Sequence, residues 1–299
     1  MVYLPPLRHP RVTWGGWSAD FSARVLTMAI VNRTPDSFHD AGDTFALDRA
    51  VAAVLAAAAA GADWVDVGGV PFSPDTAPVS TAEEIDRVLG VVEGARSRSD
   101  VVVSVDTYRA EVARLALAAG ALVVNDPSGL RDPELADVVA GADAALVITH
   151  SLAPPHTHLR RPHYDDVVDE VKAFLAARVQ TALDRGLVED RIVLDPGHDL
   201  NKNTLHSLEL TRRLPEIADL GFPVLAAVSR KDFVGESTGL ARADRLTPSV
   251  AAASACVLGG ARVLRMHDVA ASVATARMLE AVLGLREPMG LRHNVIDER

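Results

Sequence analysis

Eight short runs of Val, Ile, Leu and Ala recur along the chain, separated by longer Ala-rich stretches with helical spacing. The runs are RVLTMAIVN (24–32), DWVDVG (63–68), VVVSVD (101–106), LVVND (122–126), ALVITH (145–150), RIVLD (191–195), PVLAAVS (223–229) and RVLRM (262–266). Continuous apolar runs of this length suit strands buried on both faces. The spacing predicts helices over 47–60, 81–95, 109–119, 132–140, 165–185, 204–213, 247–259 and 269–284. Eight β–α units predict an α/β fold, a single-domain (β/α)8 TIM barrel with active-site loops at the C-terminal ends of its strands. An open doubly wound sheet is the competing topology, but no G-x-G-x-x-G follows the first run. Helix starts follow capping rules: Ser80 and Thr81 precede Glu83 and Glu84, and Thr247 precedes Pro248. Residues 1–20 fall outside the pattern and read as an N-terminal arm, 21–287 as the barrel and 288–299 as a C-terminal tail. Tyr3, Trp14 and Trp17 in the arm suit either the barrel bottom or a neighbouring molecule.

Composition narrows the picture. At 299 residues the chain is long for one domain unless that domain is a barrel of this kind. Hydrophobic residues make up 48% but aromatics only 4%, so aliphatic side chains must fill the core. A net charge of -10 argues against nucleic-acid binding through phosphate contacts. It leaves room for a locally basic site that takes a small anion. The single Cys256 excludes an intrachain disulfide and a multi-cysteine metal site, and reads as a small buried residue. No apolar run reaches membrane-spanning length, and the first twenty residues lack a signal-peptide core. The expected protein is cytoplasmic, with no membrane or nucleic-acid partner. Only Lys172, Lys202 and Lys231 are lysines among the 30 Lys and Arg residues. Lys172 reads as a solvated helix position; Lys202 and Lys231 lie in loop signatures and invite a functional reading.

The runs end in polar residues: Asn32, Asp66, Asp106, Asn125 with Asp126, His150, Asp195, Ser229 with Arg230 and Lys231, and Arg265 with His267. Packing alone does not explain so many, because an unpaired buried polar group costs several kcal/mol. Asp106, Asn125 and Asp195 offer acceptors for a flat heterocycle bearing N–H donors. Lys231, Arg265 and His267 suit an anion such as phosphate or diphosphate.

The ordered motifs resemble the dihydropteroate synthase family. AIVNRTPDSFHDAG (29–42), DVGG (66–69), SVDTYRAEVA (104–113), VVNDPSG (123–129), LDPG (194–197), SRKDFVG (229–235) and RMHDV (265–269) carry the likeness over residues 24–285. In that family 6-hydroxymethyl-7,8-dihydropterin pyrophosphate reacts with p-aminobenzoate to give dihydropteroate and pyrophosphate. The resemblance implies that Asp106, Asn125, Asp195 and Lys231 hold the pterin. It implies that Asn32, Arg265 and His267 take the pyrophosphate, with Mg²⁺ on Asn32, and that Asp36 belongs to a mobile first loop. Ser229 would meet the carboxylate of p-aminobenzoate, and Lys202 would flank that pocket. Family members usually dimerise through barrel helices, which implies a homodimer.

Departures from the pattern are concentrated on one side. The family's second loop reads roughly GGESTRPGAEPVS; here it is GGVPFSPDTAPVS (68–80). Val70 replaces glutamate, Pro71 serine, Phe72 threonine and Ser73 arginine. The sixth loop carries DLNK (199–202) for GFGK, so Leu200 replaces a phenylalanine that packs on the arylamine, and Asp199 adds negative charge. Arg33 stands where valine is usual, and the fifth strand ends THSLAPP rather than MHMRGTP. The expectation is a kept pterin floor, a rebuilt p-aminobenzoate side and little or no synthase activity, as in the divergent second copy of some actinobacteria. An active synthase and a transferase with another nucleophile are the alternatives. Two other classes stay open: a methyltetrahydrofolate-binding methyltransferase domain, and a non-catalytic partner in a mixed dimer with an active synthase. Phe72 either replaces the lost aromatic contact of Leu200 or anchors the loop at the surface. The four histidines of HSLAPPHTHLRRPH (150–163) read as a solvated loop rather than a metal site.

Overall fold

A computed structural model describes residues 3–33, 47–71, 76–155, 157, 159–291 and 293. The eight apolar runs form one closed parallel barrel: β3 (Leu26–Asn32), β4 (Trp64–Gly68), β5 (Val102–Asp106), β6 (Val123–Asp126), β7 (Ala145–Thr149), β8 (Ile192–Asp195), β9 (Val224–Ala226) and β10 (Ala261–Met266), with β10 pairing back onto β3. Around it lie α1 (Leu47–Ala59), α2 (Thr81–Arg96), α3 (Ala110–Ala118), α4 (Glu134–Ala140), α5 (Val167–Asp184), α6 (Thr204–Arg212), α9 (Leu246–Leu258) and α10 (Val269–Val282). The expected capping at Ser80 is present, its hydroxyl accepting the Glu83 amide at 3.2 Å. No helix among the described residues is long and apolar enough to cross a membrane.

Several elements depart from the sequence pattern. Residues 11–20 form a hairpin, β1 (Arg11–Trp14) and β2 (Trp17–Asp20), turning at Gly15 and Gly16 with φ 50° and 82°. Two consecutive positive φ values are what a two-residue hairpin turn needs, and glycine supplies them without strain. Two short helices also appear: α7 (Leu214–Ala218), and α8 (Asp232–Thr238) within the motif read as a loop. Strand β9 is shorter than the expected 223–229 run: the chain leaves the ladder after Ala226.

The hairpin closes the barrel's N-terminal mouth. Trp14 is fully buried, packs on Trp17 and Trp64 with ring centroids 5.4 and 5.8 Å apart, and donates its indole N–H to the Asp190 carbonyl at 3.0 Å. Inside the barrel Leu26, Met28, Val102, Val123, Val193 and Val263 complete that aliphatic core. Outside it, Val65, Val103, Val124, Leu146 and Ile148 pack on Val and Ala side chains of the helices. The bottom of the barrel is thus sealed by apolar packing, and its chemistry is confined to the opposite end.

Candidate active site

Side chains of a strand alternate between its faces. Trp64, Val102, Val123, Val193 and Val263 face the barrel interior. Asp66, Asn125, Asp195 and Arg265, two residues on, and Asp106, four on, therefore face it too. The inner wall is apolar below and becomes polar at the strand ends.

Asp66 is the hub of this layer. It is fully buried, and its Oδ2 accepts from Arg265 Nε at 2.7 Å and from Asn125 Nδ2 at 2.9 Å. Arg265 Nη2 also donates to Asp106 Oδ2 at 2.8 Å, so one guanidinium bridges two carboxylates. Asp66 Oδ1 has no hydrogen-bond partner among the described residues. Because Asn125 gives its N–H₂ to Asp66, its carbonyl oxygen remains available as an acceptor. Burial pushes the Asp106 carboxyl up to about 7; Arg265 opposes the rise, and Asp66 and Glu84 add to it. In sequence Asp66 stands among the polar strand ends and in DVGG, with no ligand role assigned to it. The signal that could have found it is an acidic residue at an inward position inside an apolar run.

Asp195 and Lys231 complete the floor. The Gly197 amide donates to Asp195 Oδ1 at 2.7 Å, while burial raises this carboxyl. Lys231 Nζ donates to the His198 carbonyl at 2.7 Å; burial lowers its amine, and Asp199 and Asp195 resist the fall. Lys202 is buried and spends its ammonium on three acceptors: His150 Nδ1 at 2.8 Å, the Gly197 carbonyl at 2.9 Å and the Leu200 carbonyl at 3.1 Å. Burial lowers Lys202 to about 7. Burial and the Lys202 charge lower His150 to about 2, so His150 is a neutral acceptor at the barrel mouth.

Ser229 and His267 sit together. Ser229 Oγ accepts the His267 backbone amide at 3.1 Å and lies 3.0 Å from His267 Nδ1. With the hydroxyl proton directed to Nδ1, Nε2 carries the ring proton and is a donor. Burial, then Arg265, lowers His267 to about 4. It is therefore neutral near pH 7 and would meet an anion as a hydrogen-bond donor rather than as a cation. Asn32 lies over Gly68: a Cβ built there would stand 2.7 Å from Asn32 Oδ1.

A cavity of about 320 Å³ opens above Asp106, with Val70, Pro71, Tyr108, Leu200 and Lys202 among its walls. Leu200 and Lys202 are thus on one wall, whereas Ser229 is on the His267 side. Both described ends of the second loop are held by arginines. Arg87 Nη1 donates to the Gly69 carbonyl at 2.7 Å, and Arg109 donates to the Val79 carbonyl at 2.7 Å and pairs with buried Glu84. Asp36, Phe72 and Ser73 lie outside the described residues. Of the four histidines after β7, His163 is exposed beside Asp165, and His156 and His158 are outside the described residues. Among the described residues no group of three or more His, Cys, Asp or Glu could hold a metal ion. Cys256 is buried, and burial raises its thiol to about 12.

Comparison with known proteins agrees with the barrel fold. The pterin binding enzyme family model matches residues 28–267. The chain is 43% identical over 271 residues to the Mycobacterium leprae (strain TN) protein named inactive dihydropteroate synthase 2, covering 89% of this chain and 93% of that one. It is 35% identical over 272 residues to the dihydropteroate synthase of Escherichia coli (strain K12), covering 91% and 96%. The solved Xanthomonas albilineans dihydropteroate synthase with 4-aminobenzoic acid superposes with a TM-score of 0.84 at 40% identity, covering 91% and 98%. The chain belongs to the pterin-binding enzymes and is a member of the dihydropteroate synthase family.

Proposed function

We propose that this protein binds a reduced pterin on the Asp106, Asn125, Asp195 and Lys231 floor and forms dihydropteroate poorly or not at all. The observation that carries the binding half is the shared Asp66: it takes the Asn125 N–H₂, which leaves the amide oxygen to accept, and it holds Arg265 beside Asp106. Carboxylates and an amide oxygen then accept the pterin N–H groups, and Lys231 donates to its carbonyl. Arg265 and the Nε2–H of His267 take the diphosphate end, where negative charge grows as the leaving group departs. Among the described residues there is no multi-carboxylate metal cage. A single hard oxygen from Asn32 fits Mg²⁺, which is commonly held by one or two protein oxygens and substrate phosphates. Bound there, Mg²⁺ would neutralise the leaving diphosphate. The arylamine is already a neutral nucleophile, so the chemistry asks for no strong base.

The second half rests on the substituted loops. Ser73 in place of arginine removes charge-assisted contacts of about 1.5–3 kcal/mol each, roughly a factor of 10 to 100 in rate or affinity. Leu200 offers no aromatic face to an arylamine. The Mycobacterium leprae relative, named inactive, supports the same reading. The test is dihydropteroate formation by pure protein with pterin pyrophosphate, p-aminobenzoate and Mg²⁺ at saturation. Product indistinguishable from a blank is expected; turnover of about 1 s⁻¹, the low end for ordinary enzymes, would sink the reading. The same reading makes the protein a cytoplasmic homodimer through α9 and α10, where Leu258, Met278 and Val282 are exposed. Light scattering at a single 31.7 kDa chain mass would contradict that assembly.

A further inference from the structure

Loop six, between β8 and α6, holds two non-glycine residues in the left-handed region: Asp199 at φ 64° and Asn201 at φ 50°. This conformation disfavours residues with a Cβ, and Asp and Asn tolerate it best. Both stand where the family pattern GFGK has glycine, the residue that adopts this conformation most freely. Each side chain is engaged. Asn201 Oδ1 accepts from Ser151 Oγ and from the Ala153 amide, both at 2.9 Å, tying loop six to the chain after β7. Asp199 Oδ2 accepts from the Asp232 amide at 2.6 Å and the Phe233 amide at 3.3 Å, and its Oδ1 accepts from Ser207 Oγ at 3.0 Å.

The two amides on Asp199 are the first two of α8, which have no acceptor within their own helix. Lys231 immediately precedes them, and its ammonium returns to the His198 carbonyl, one residue before Asp199. Loop six and the turn carrying Lys231 thus clasp each other in both directions. Asp199 lines the cavity, and its carboxylate is engaged by the α8 amides and by Ser207.

We propose that Asp199 is a positioning residue for Lys231: by holding the start of α8 on loop six, it fixes where the Lys231 ammonium stands above the floor. Its effect on ligand affinity rests on the pterin reading; the clasp itself does not. Asp199, Asp195 and Asp232 favour the Lys231 ammonium, and the nearby Arg265 and Lys202 oppose it.

Two substitutions separate the roles. Asp199→Gly keeps a backbone that glycine adopts freely and removes the carboxylate. Asp199→Asn keeps an oxygen able to accept the same amides. Amide exchange at Asp232 and Phe233 is followed by NMR, and dihydropterin affinity by calorimetry. In Asp199→Gly both amides should exchange at least about tenfold faster and dihydropterin should bind about tenfold more weakly; Asp199→Asn should restore both to within about threefold. Unchanged exchange in Asp199→Gly overturns the proposal. So does faster exchange with unchanged affinity, or tighter binding by both variants, which would make Asp199 a repulsive charge after all. If the wild-type protein binds no dihydropterin, the functional reading falls and exchange alone decides the clasp: loss in Asp199→Gly with recovery in Asp199→Asn upholds it, and any other pattern overturns it.

Discussion

Replacing Asp66 by asparagine tests the hub directly. The side chain is fully buried and one of its oxygens serves both Arg265 and Asn125, at 2.7 and 2.9 Å. The variant keeps the shape and one acceptor oxygen but removes the charge. Arg265, only 16% exposed at its side chain, then keeps Asp106 as its one ion-pair partner among the described residues. Hydrogen bonds to charged groups contribute about 1.5–3 kcal/mol each, and breaking a buried ion pair costs about 3–5 kcal/mol. The retained amide oxygen offsets part of this, so the expected loss is about 3 kcal/mol. Urea unfolding followed by circular dichroism should show a midpoint lower by about 1 M at unchanged slope. A second readout is independent of stability. Asp66 is one of the negative charges that raise Asp106, so its neutralisation should move the Asp106 midpoint below about 7, seen by carbon NMR of the carboxyl. A midpoint shift under about 0.2 M in urea, with Asp106 titrating as before, would refute the reading of Asp66 as the residue that organises the floor.

Two further outcomes are expected. Lys202 is lowered to about 7 from an ordinary 10.5, so the native state binds its proton less tightly than the unfolded chain. Its stabilising contribution is full above about 10.5 and is lost as pH falls through about 7. Lys202→Met should therefore flatten the rise of stability across that window, and parallel wild-type and variant curves would contradict it. Trp14→Ala should cost about 3–5 kcal/mol by opening the barrel bottom, with ligand affinity unchanged at temperatures where the variant is folded. A thermal midpoint equal to wild type would show that the hairpin does not seal the core.

The barrel was legible because its strands are buried on both faces and so run apolar without a break. The same continuity exposed the floor: Asp106, Asn125, Asp195 and Arg265 stand out because they interrupt or end apolar runs. The hairpin was legible in principle, since RVTWGGWSAD carries a Gly-Gly turn between alternating residues. It is short and lies outside the βα period, which hid it. Helix α8 was masked by reading SRKDFVG as a motif, although Gly239 ends it at φ 72° as a left-handed cap should. The loop contacts were not legible at all. That Asp199 turns to the amides of α8, or that Lys202 ends on a histidine and two carbonyls, follows from packing between segments distant in sequence. The neutral state of His267 likewise comes from burial and from Arg265 beside it, which no motif records.

The central claim is a working pterin floor. Calorimetric titration of a dihydropterin into the wild-type protein, Asp106→Ala and Asn125→Ala tests it most directly. The account predicts one site per chain in the wild type and at least about tenfold weaker binding in each variant, from the loss of one or two buried hydrogen bonds. Absence of heat in the wild type, or equal affinity in all three proteins, would contradict it.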